Sequence, residues 1–213
     1  MVLKAAKTTN LVKAKSSFFI QTIRQLLAAR SVKIIEENGK ELKHAGILVP
    51  VVLEGDILKI LLTRRSRQVS NYKGQISFPG GVVDPEDRSY EETALRETFE
   101  EIGVTRKEIE VLGRMDDIGT VASGFIIHPF IGYIFEGNSF CVNTCEVDNI
   151  IKIPLAFFLN AGSRKYSVSY EGNPYETVAY RYYEDLIWGA TAGIITNLTD
   201  MIKDKIDLLQ EKK

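Results

Sequence analysis

Apolar residues gather in short, strand-length stretches through most of the chain and change to helical spacing in three places. Residues 46–54 (GILVPVVLE) and 57–63 (ILKILLT) are rich in β-formers and flank Gly55-Asp56, a pair suited to a tight hairpin turn. Residues 75–78 read as a strand running into Gly80-Gly81, and further strands are predicted at 109–115, 126–135 (IIHPFIGYIF) and 146–153. Pro154 closes the last of these, and a short helix should follow it. Residues 165–170 and 177–182 alternate well enough for a hairpin around Gly172-Asn173-Pro174. Of the helical patterns, residues 16–30 align Phe19, Ile20, Ile23, Leu26 and Leu27. A long C-terminal helix from about Ile187 to Gln210 aligns Trp188, Thr191, Ile194, Ile195, Leu198, Ile202, Ile206 and Leu209. Helices and strands mix without a regular βαβ alternation. The expected fold class is α/β (α+β), an α/β/α sandwich on a mixed, curved sheet.

The third helical pattern spans residues 89–103 and carries the chemistry. Ser89-Tyr90-Glu91-Glu92 has the S-x-x-E form of a capping box, and Gly103 suits the left-handed position just past a helix end. At about 100° per residue, Leu95, Phe99 and Ile102 make a packing stripe. Glu97, Glu100 and Glu101 fall opposite, with Arg96 beside Glu100. Three carboxylates within five residues are costly without a counter-cation. One reading is a solvated acidic face. The other is a site for Mg²⁺ or Mn²⁺, hard cations that take carboxylate oxygens. Phe78-Pro79-Gly80-Gly81 just upstream, where backbone can approach a ligand closely, favours the cation.

This segment resembles the Nudix box, written G-x5-E-x7-R-E-U-x-E-E-x-G-U with U aliphatic. Arg96-Glu97-Thr98-Phe99-Glu100-Glu101-Ile102-Gly103-Val104 fits its second half, with Thr98 at an aliphatic position. In the first half the acidic residue falls at Asp87, one residue further from Arg96 than the pattern has it. That spacing resembles the coenzyme A branch, GG-x-x-D-x-x-D-x6-A-L-R-E, through Gly80, Gly81, Asp84, Asp87, Ala94, Leu95, Arg96 and Glu97. Upstream, Leu61-Leu62-Thr63-Arg64-Arg65-Ser66, Gly74 and Phe78-Pro79-Gly80-Gly81 are similar to the signature of coenzyme A diphosphatases. Ser70 stands at its second arginine, and Tyr72 where many relatives carry histidine. Ile187-Trp188-Gly189-Ala190-Thr191-Ala192 resembles a C-terminal element of the same branch, so the likeness covers about residues 45–198.

The resemblance implies a Nudix-type α/β/α sandwich and hydrolysis of a nucleoside diphosphate linkage. The substrate would be coenzyme A or an acyl ester, giving 3′,5′-ADP and (acyl-)4′-phosphopantetheine. Alternatives are another diphosphate such as ADP-ribose or NADH, and a non-catalytic domain that binds a nucleotide. Divalent ions on Glu97, Glu100 and Glu101, with the Gly80 carbonyl as a further ligand, would neutralise the diphosphate and activate water. Arg96 would orient Glu100. Glu101 and Glu146 are the candidate general bases, Glu146 lying where a strand begins and its loop can overhang the site; the other reading of Glu146 is a solvated acid at a strand start. Arg64, Arg65 and Arg67 are candidate phosphate ligands or a strand-end charge cluster, with Gly80 and Gly81 beside the substrate. Trp188 either stacks adenine or packs. His44 and His128, isolated in sequence, read as structural.

Composition narrows the surroundings. With 27 Lys+Arg against 28 Asp+Glu and a pI of 6.2, nothing argues for general nucleic-acid binding. No apolar run reaches the length of a membrane span. Cys141 and Cys145 have no histidine near them and read as free thiols of a reducing compartment. The first 35 residues lack Asp and Glu but carry Lys4, Lys7, Lys13, Lys15, Arg24, Arg30 and Lys33. That start is similar to a mitochondrial presequence; the alternative is a helix packed on the domain. The expected layout is a basic segment and helix at 1–35 and a single hydrolase domain at 36–213. The protein would be a cytoplasmic (alternatively mitochondrial) monomer or homodimer acting on a small nucleotide.

Overall fold

Strand β1 (Lys43–Glu54) turns at Gly55-Asp56 into β2 (Ile57–Arg65), Gly55 taking the left-handed φ of +61° that the turn needs. The computed structural model describes residues 17–37, 39, 42–68, 73–120, 124–135, 137, 139–170 and 172–210. Ser70, Tyr72 and the lysines at 4, 7, 13 and 15 lie outside the described residues. β1 is apolar on both faces because it is central: it pairs in parallel with β7 (Phe125–Ile134) and antiparallel with β2. Beyond Val51 and Ile60 the two hairpin strands part company. Into that opening come β3 (Ile76–Ser77), which pairs with the end of β2, and β4 (Gly80–Val82), which pairs with the start of β1. Gly80 and Gly81 are therefore themselves part of a strand. β8 (Val147–Pro154) lines the other side of β2, while β5 (Ile109–Arg114) and β6 (Ile118–Thr120) pair with β7.

The sheet is mixed, and both faces are covered. On one face Leu48, Val52, Leu61, Phe130 and Ile134 pack against helix α2 (Tyr90–Ile102) through Ala94, Leu95 and Ile102. On the other, Ile47, Val49, Val51, Ile60 and Leu62 meet Ile23 and Leu27 of helix α1 (residues 17–28). That second core also takes Leu155 and Phe158 of α3 (Leu155–Ala161) and Ile194, Ile195 and Leu198 of α4 (Gly189–Gln210). A small antiparallel sheet of β9 (Arg164–Tyr170), β10 (Asn173–Tyr182) and β11 (Asp185–Trp188) adds Tyr180 and Ile187 to it. The mixed-sheet α/β/α sandwich is the fold the sequence predicts. Ile187 and Trp188 belong to β11, not to the last helix. Gly189, at φ +66°, separates strand from helix, and the apolar periodicity hid that break.

Candidate active site

Helix α2 starts where the Ser89 hydroxyl accepts the Glu92 N–H at 3.1 Å and the Glu92 carboxylate accepts the Arg88 N–H at 3.0 Å. It stops at Gly103, at φ +75°, whose N–H donates to the Phe99 carbonyl at 2.8 Å. Its packed face departs from the expected stripe. Phe99 is 53% exposed, whereas Thr98 and Glu101 are buried with Ala94, Leu95 and Ile102. The helix rests on residues 94–95, 98 and 101–102, an i, i+4, i+7 set, so one carboxylate is carried inward. Thr98 tolerates burial because its hydroxyl donates to the Ala94 carbonyl at 2.6 Å.

The carboxylates meet the glycine strand directly. A Cβ on Gly81 would sit 2.5 Å from the Glu97 carboxyl group, so only glycine leaves room for it. Gly80, at φ +147°, is equally constrained, since a Cβ there would come 2.6 Å from the Gly46 carbonyl oxygen. Burial raises the Glu97 carboxyl pKa, with Glu100 and Glu146 adding to the rise and Arg96 opposing it. Burial pushes Glu101 up to about 8; Arg65 and Thr63 pull it down, while Glu97 and Glu146 push it further. Burial is the main cause of both rises; the neighbouring acids add to it, and Arg96 and Arg65 offset part of it.

Arg96 organises the cluster. Its Nε and Nη2 donate to the two oxygens of Asp87 at 3.0 and 2.9 Å, and Nη1 donates to Glu97 at 2.8 Å and Glu100 at 3.0 Å. Arg96 holds the Asp87 carboxyl down at about 2, and Asp87 in turn raises Arg96. Asp87 is itself fixed by the Asp84 N–H and the Thr93 hydroxyl, at 2.9 and 2.8 Å. Sequence reasoning placed Asp87 in the pattern but gave it no partner.

Glu146 joins the group from a distant loop. Its carbonyl accepts the Ser66 N–H at 2.8 Å, and its charge acts on both Glu97 and Glu101. Of the three upstream arginines, Arg65 faces the cluster, its Nη1 4.0 Å from Glu101 and its buried Nε without a partner. Thr63, two residues earlier on the same strand face, sets its hydroxyl 3.5 Å from Glu101. Arg64 points to the opposite face and pairs with Asp185 of β11, a strand-end ion pair. Arg67 is exposed in the turn after β2. Trp188 is half-buried at the end of β11, paired across the sheet with Ala179. Cys141 and Cys145 are free and exposed.

The two histidines are not isolated. His44 Nδ1 lies 2.8 Å from His128 Nε2, and His128 Nδ1 lies 2.8 Å from Asp117. Glu37 closes on His44 at 2.6 Å, Arg114 donates to Asp117 at 2.6 Å, and Tyr90 stacks on His128 at 3.6 Å. This chain of contacts ties Glu37 and His44 to the first turn of α2 and to β7. Neighbouring strands β1 and β7 bring the pair together, which sequence separation concealed.

Known proteins carry the same arrangement of sequence. Residues 42–149, about half of the chain, match the family described as NUDIX domain. The chain belongs to the Nudix family. An uncharacterized Nudix hydrolase NudL of Photorhabdus laumondii is 36% identical over 172 residues, covering 80% of this chain and 89% of that protein. Its counterpart in Yersinia enterocolitica is 36% identical over 160 residues, covering 75% and 81%. Among solved structures, a MutT/nudix family protein from Enterococcus faecalis superposes with a TM-score of 0.54 at 16% identity, over 94% of this chain and 74% of the other, a likeness of fold.

As a Nudix hydrolase the protein acts on nucleoside-diphosphate-linked substrates, and enzymes of this family generally use divalent cations. Its Nudix box supplies carboxylate oxygens from Glu97, Glu100 and Glu101, a donor set that fits a hard divalent ion. Among the described residues no three His, Cys, Asp or Glu side chains already stand as a coordinating group, and Arg96 pairs with Glu97 and Glu100. Among the described residues no helix is long and apolar enough to cross a membrane.

Proposed function

We propose that this Nudix hydrolase splits coenzyme A or an acyl-coenzyme A into 3′,5′-ADP and (acyl-)4′-phosphopantetheine, with Mg²⁺ or Mn²⁺ as cofactor. The observation that carries the reading is the strand LLTRRS leading through FPGG into the box, which delivers Arg65 and Thr63 beside Glu101. Glu97, Glu100 and Glu101, with the Gly80 carbonyl, are the groups that would hold the cation. When bound, a divalent ion neutralises the diphosphate oxygens and makes water a better nucleophile. The residues do the rest. Arg96, braced by Asp87, fixes Glu97 and Glu100 in place. Arg65 offers an unpaired, buried guanidinium N–H to an oxygen of the diphosphate. Water attacks one phosphorus, its proton passes to Glu101 or Glu146, and the bond to the bridging oxygen breaks with the electron pair leaving on the departing phosphate.

A panel of coenzyme A, acyl-coenzyme A, ADP-ribose and NADH, incubated with the purified protein and Mn²⁺, tests this with products identified. Release of 3′,5′-ADP from coenzyme A is the expected result. Cleavage of ADP-ribose or NADH with coenzyme A left intact would remove the substrate assignment and leave the enzyme class standing. Glu101→Gln and Glu146→Gln, compared in single turnovers, separate the two bases.

A further inference from the structure

The loop that delivers Glu146 is built around one side chain. Asn143 sits partly buried between Cys141 and Glu146, on the stretch that crosses the C-terminal end of α2. Its backbone N–H donates to the Glu101 carbonyl at 2.9 Å, while the Cys141 N–H donates to the Ile102 carbonyl at 2.9 Å. These bonds clasp the loop to the last turn of the box helix and satisfy carbonyls that a helix end leaves without partners. The Asn143 carbonyl accepts the N–H groups of Glu146 at 3.0 Å and Val147 at 2.9 Å, turning the chain into β8. Its side-chain amide does two different things. The Oδ1 accepts the Cys145 N–H at 3.2 Å, and the Nδ2 donates to Glu146 Oε1 at 3.1 Å. The Cys145 donor settles which end of the amide is oxygen and leaves the NH₂ group facing the carboxylate.

We propose that Asn143 is a positioning residue, holding the Glu146 carboxylate in the acidic cluster with Glu97 and Glu101 through its Nδ2–H. The inference rests on the metal-dependent hydrolase reading above. Glu146 lies outside the box, on a loop, and its negative charge acts on Glu97 and Glu101. Like charges would drive a freely rotating carboxylate towards solvent. A neutral amide donor restrains it without adding positive charge that would compete with a cation. The same residue grips the Glu101 backbone, so loop and helix share one anchor point.

The test is a cycle of four proteins: wild type, Asn143→Ser, Glu146→Gln and the double variant. Serine retains an oxygen for the Cys145 N–H and loses the donor to Glu146, so the turn keeps its own hydrogen bond. Mn²⁺ affinity is read without substrate, from the spin-resonance signal of free ion, and kcat and KM are read separately. Asn143→Ser should weaken Mn²⁺ binding and lower kcat by about tenfold each, within the usual range for groups that orient metal-site carboxylates. KM and thermal midpoint should stay close to wild type. In the Glu146→Gln background the serine substitution should cost nothing further. Equal losses in both backgrounds would overturn the proposal and place the effect on the loop backbone, as would a serine variant indistinguishable from wild type. If Glu146→Gln leaves affinity and turnover unchanged, the inference falls, while Glu97→Gln still tests the hydrolase reading by itself.

Discussion

Single atoms decide several features of this site. The absent side chain of Gly81 is the space in which the Glu97 carboxylate lies, so Gly81→Ala must displace that carboxylate by about 1 Å. Activity should fall about 100-fold, the usual cost of a misplacement near 1 Å, and steady-state kinetics on the purified variant checks it. Arg64 and Arg65 are neighbours with opposite fates, because successive strand residues face opposite sides of the sheet. Arg65→Ala should reduce kcat/KM more than tenfold, on the order expected for losing a charged hydrogen bond, with little change in thermal midpoint. Arg64→Ala should show the reverse, lowering the midpoint while sparing turnover, since Arg64 joins β2 to β11 through Asp185. Asp87→Asn removes the anion that braces Arg96 and should lower both stability and kcat. Urea unfolding is expected to show a loss of about 1–3 kcal/mol, typical of a hydrogen bond to a charged group.

Helix α2 illustrates how much of an element can be read in advance. Its start and stop were legible because Ser89 and Gly103 satisfy backbone groups whatever the rest of the protein does. Its orientation was not, because a buried glutamate breaks the rule that polar residues mark the wet face. Phe99 and Glu101 exchanged places, and the inward Glu101 meets Thr63 and Arg65. Strands β1, β2, β7 and β8 were legible from apolar runs, whereas β6 is three residues long and carries no usable period. Glu146 was visible as an acid at a strand's start; Asn143 gave no sign, because its role depends on a loop folding back on a helix end. The strap formed by Glu37, His44, His128 and Asp117 depends on pH. Burial lowers the His128 pKa from 6.5, with Arg114 and His44 adding to it and Asp117 opposing. For Asp117, burial acts upward, and the hydrogen bonds from Arg114 and His128 outweigh it and bring the carboxyl pKa down. The unfolded chain therefore takes up the His128 proton first, and stability should decline as pH falls below about 6.5. Melting curves between pH 7.5 and 5.5, on the order of one unit either side of an ordinary histidine, should show that slope, and His128→Asn should flatten it.

Over the whole molecule, the sheet acts as a partition. The acidic cluster lies on the α2 side, and the larger apolar core with α1, α3, α4 and the small sheet lies on the other. Chelation should therefore abolish turnover while leaving the fold in place. Dialysis against EDTA is expected to remove activity with the far-ultraviolet circular dichroism spectrum retained, and Mg²⁺ or Mn²⁺ should restore it. Loss of the spectrum on chelation would assign the cation a structural role instead.

The parallel pairing of β1 with β7 has a bearing on how the protein is made. A growing chain completes β1, the glycine strand and the whole Nudix box before β7 has been synthesised, and Glu146 comes later still. Until the Lys43–Phe125 register can form, β1 lacks its parallel neighbour and the box helix has only part of its support. The nascent chain must thus hold its acidic box and its apolar first strand in waiting until that long loop closes and the Glu146 segment follows it.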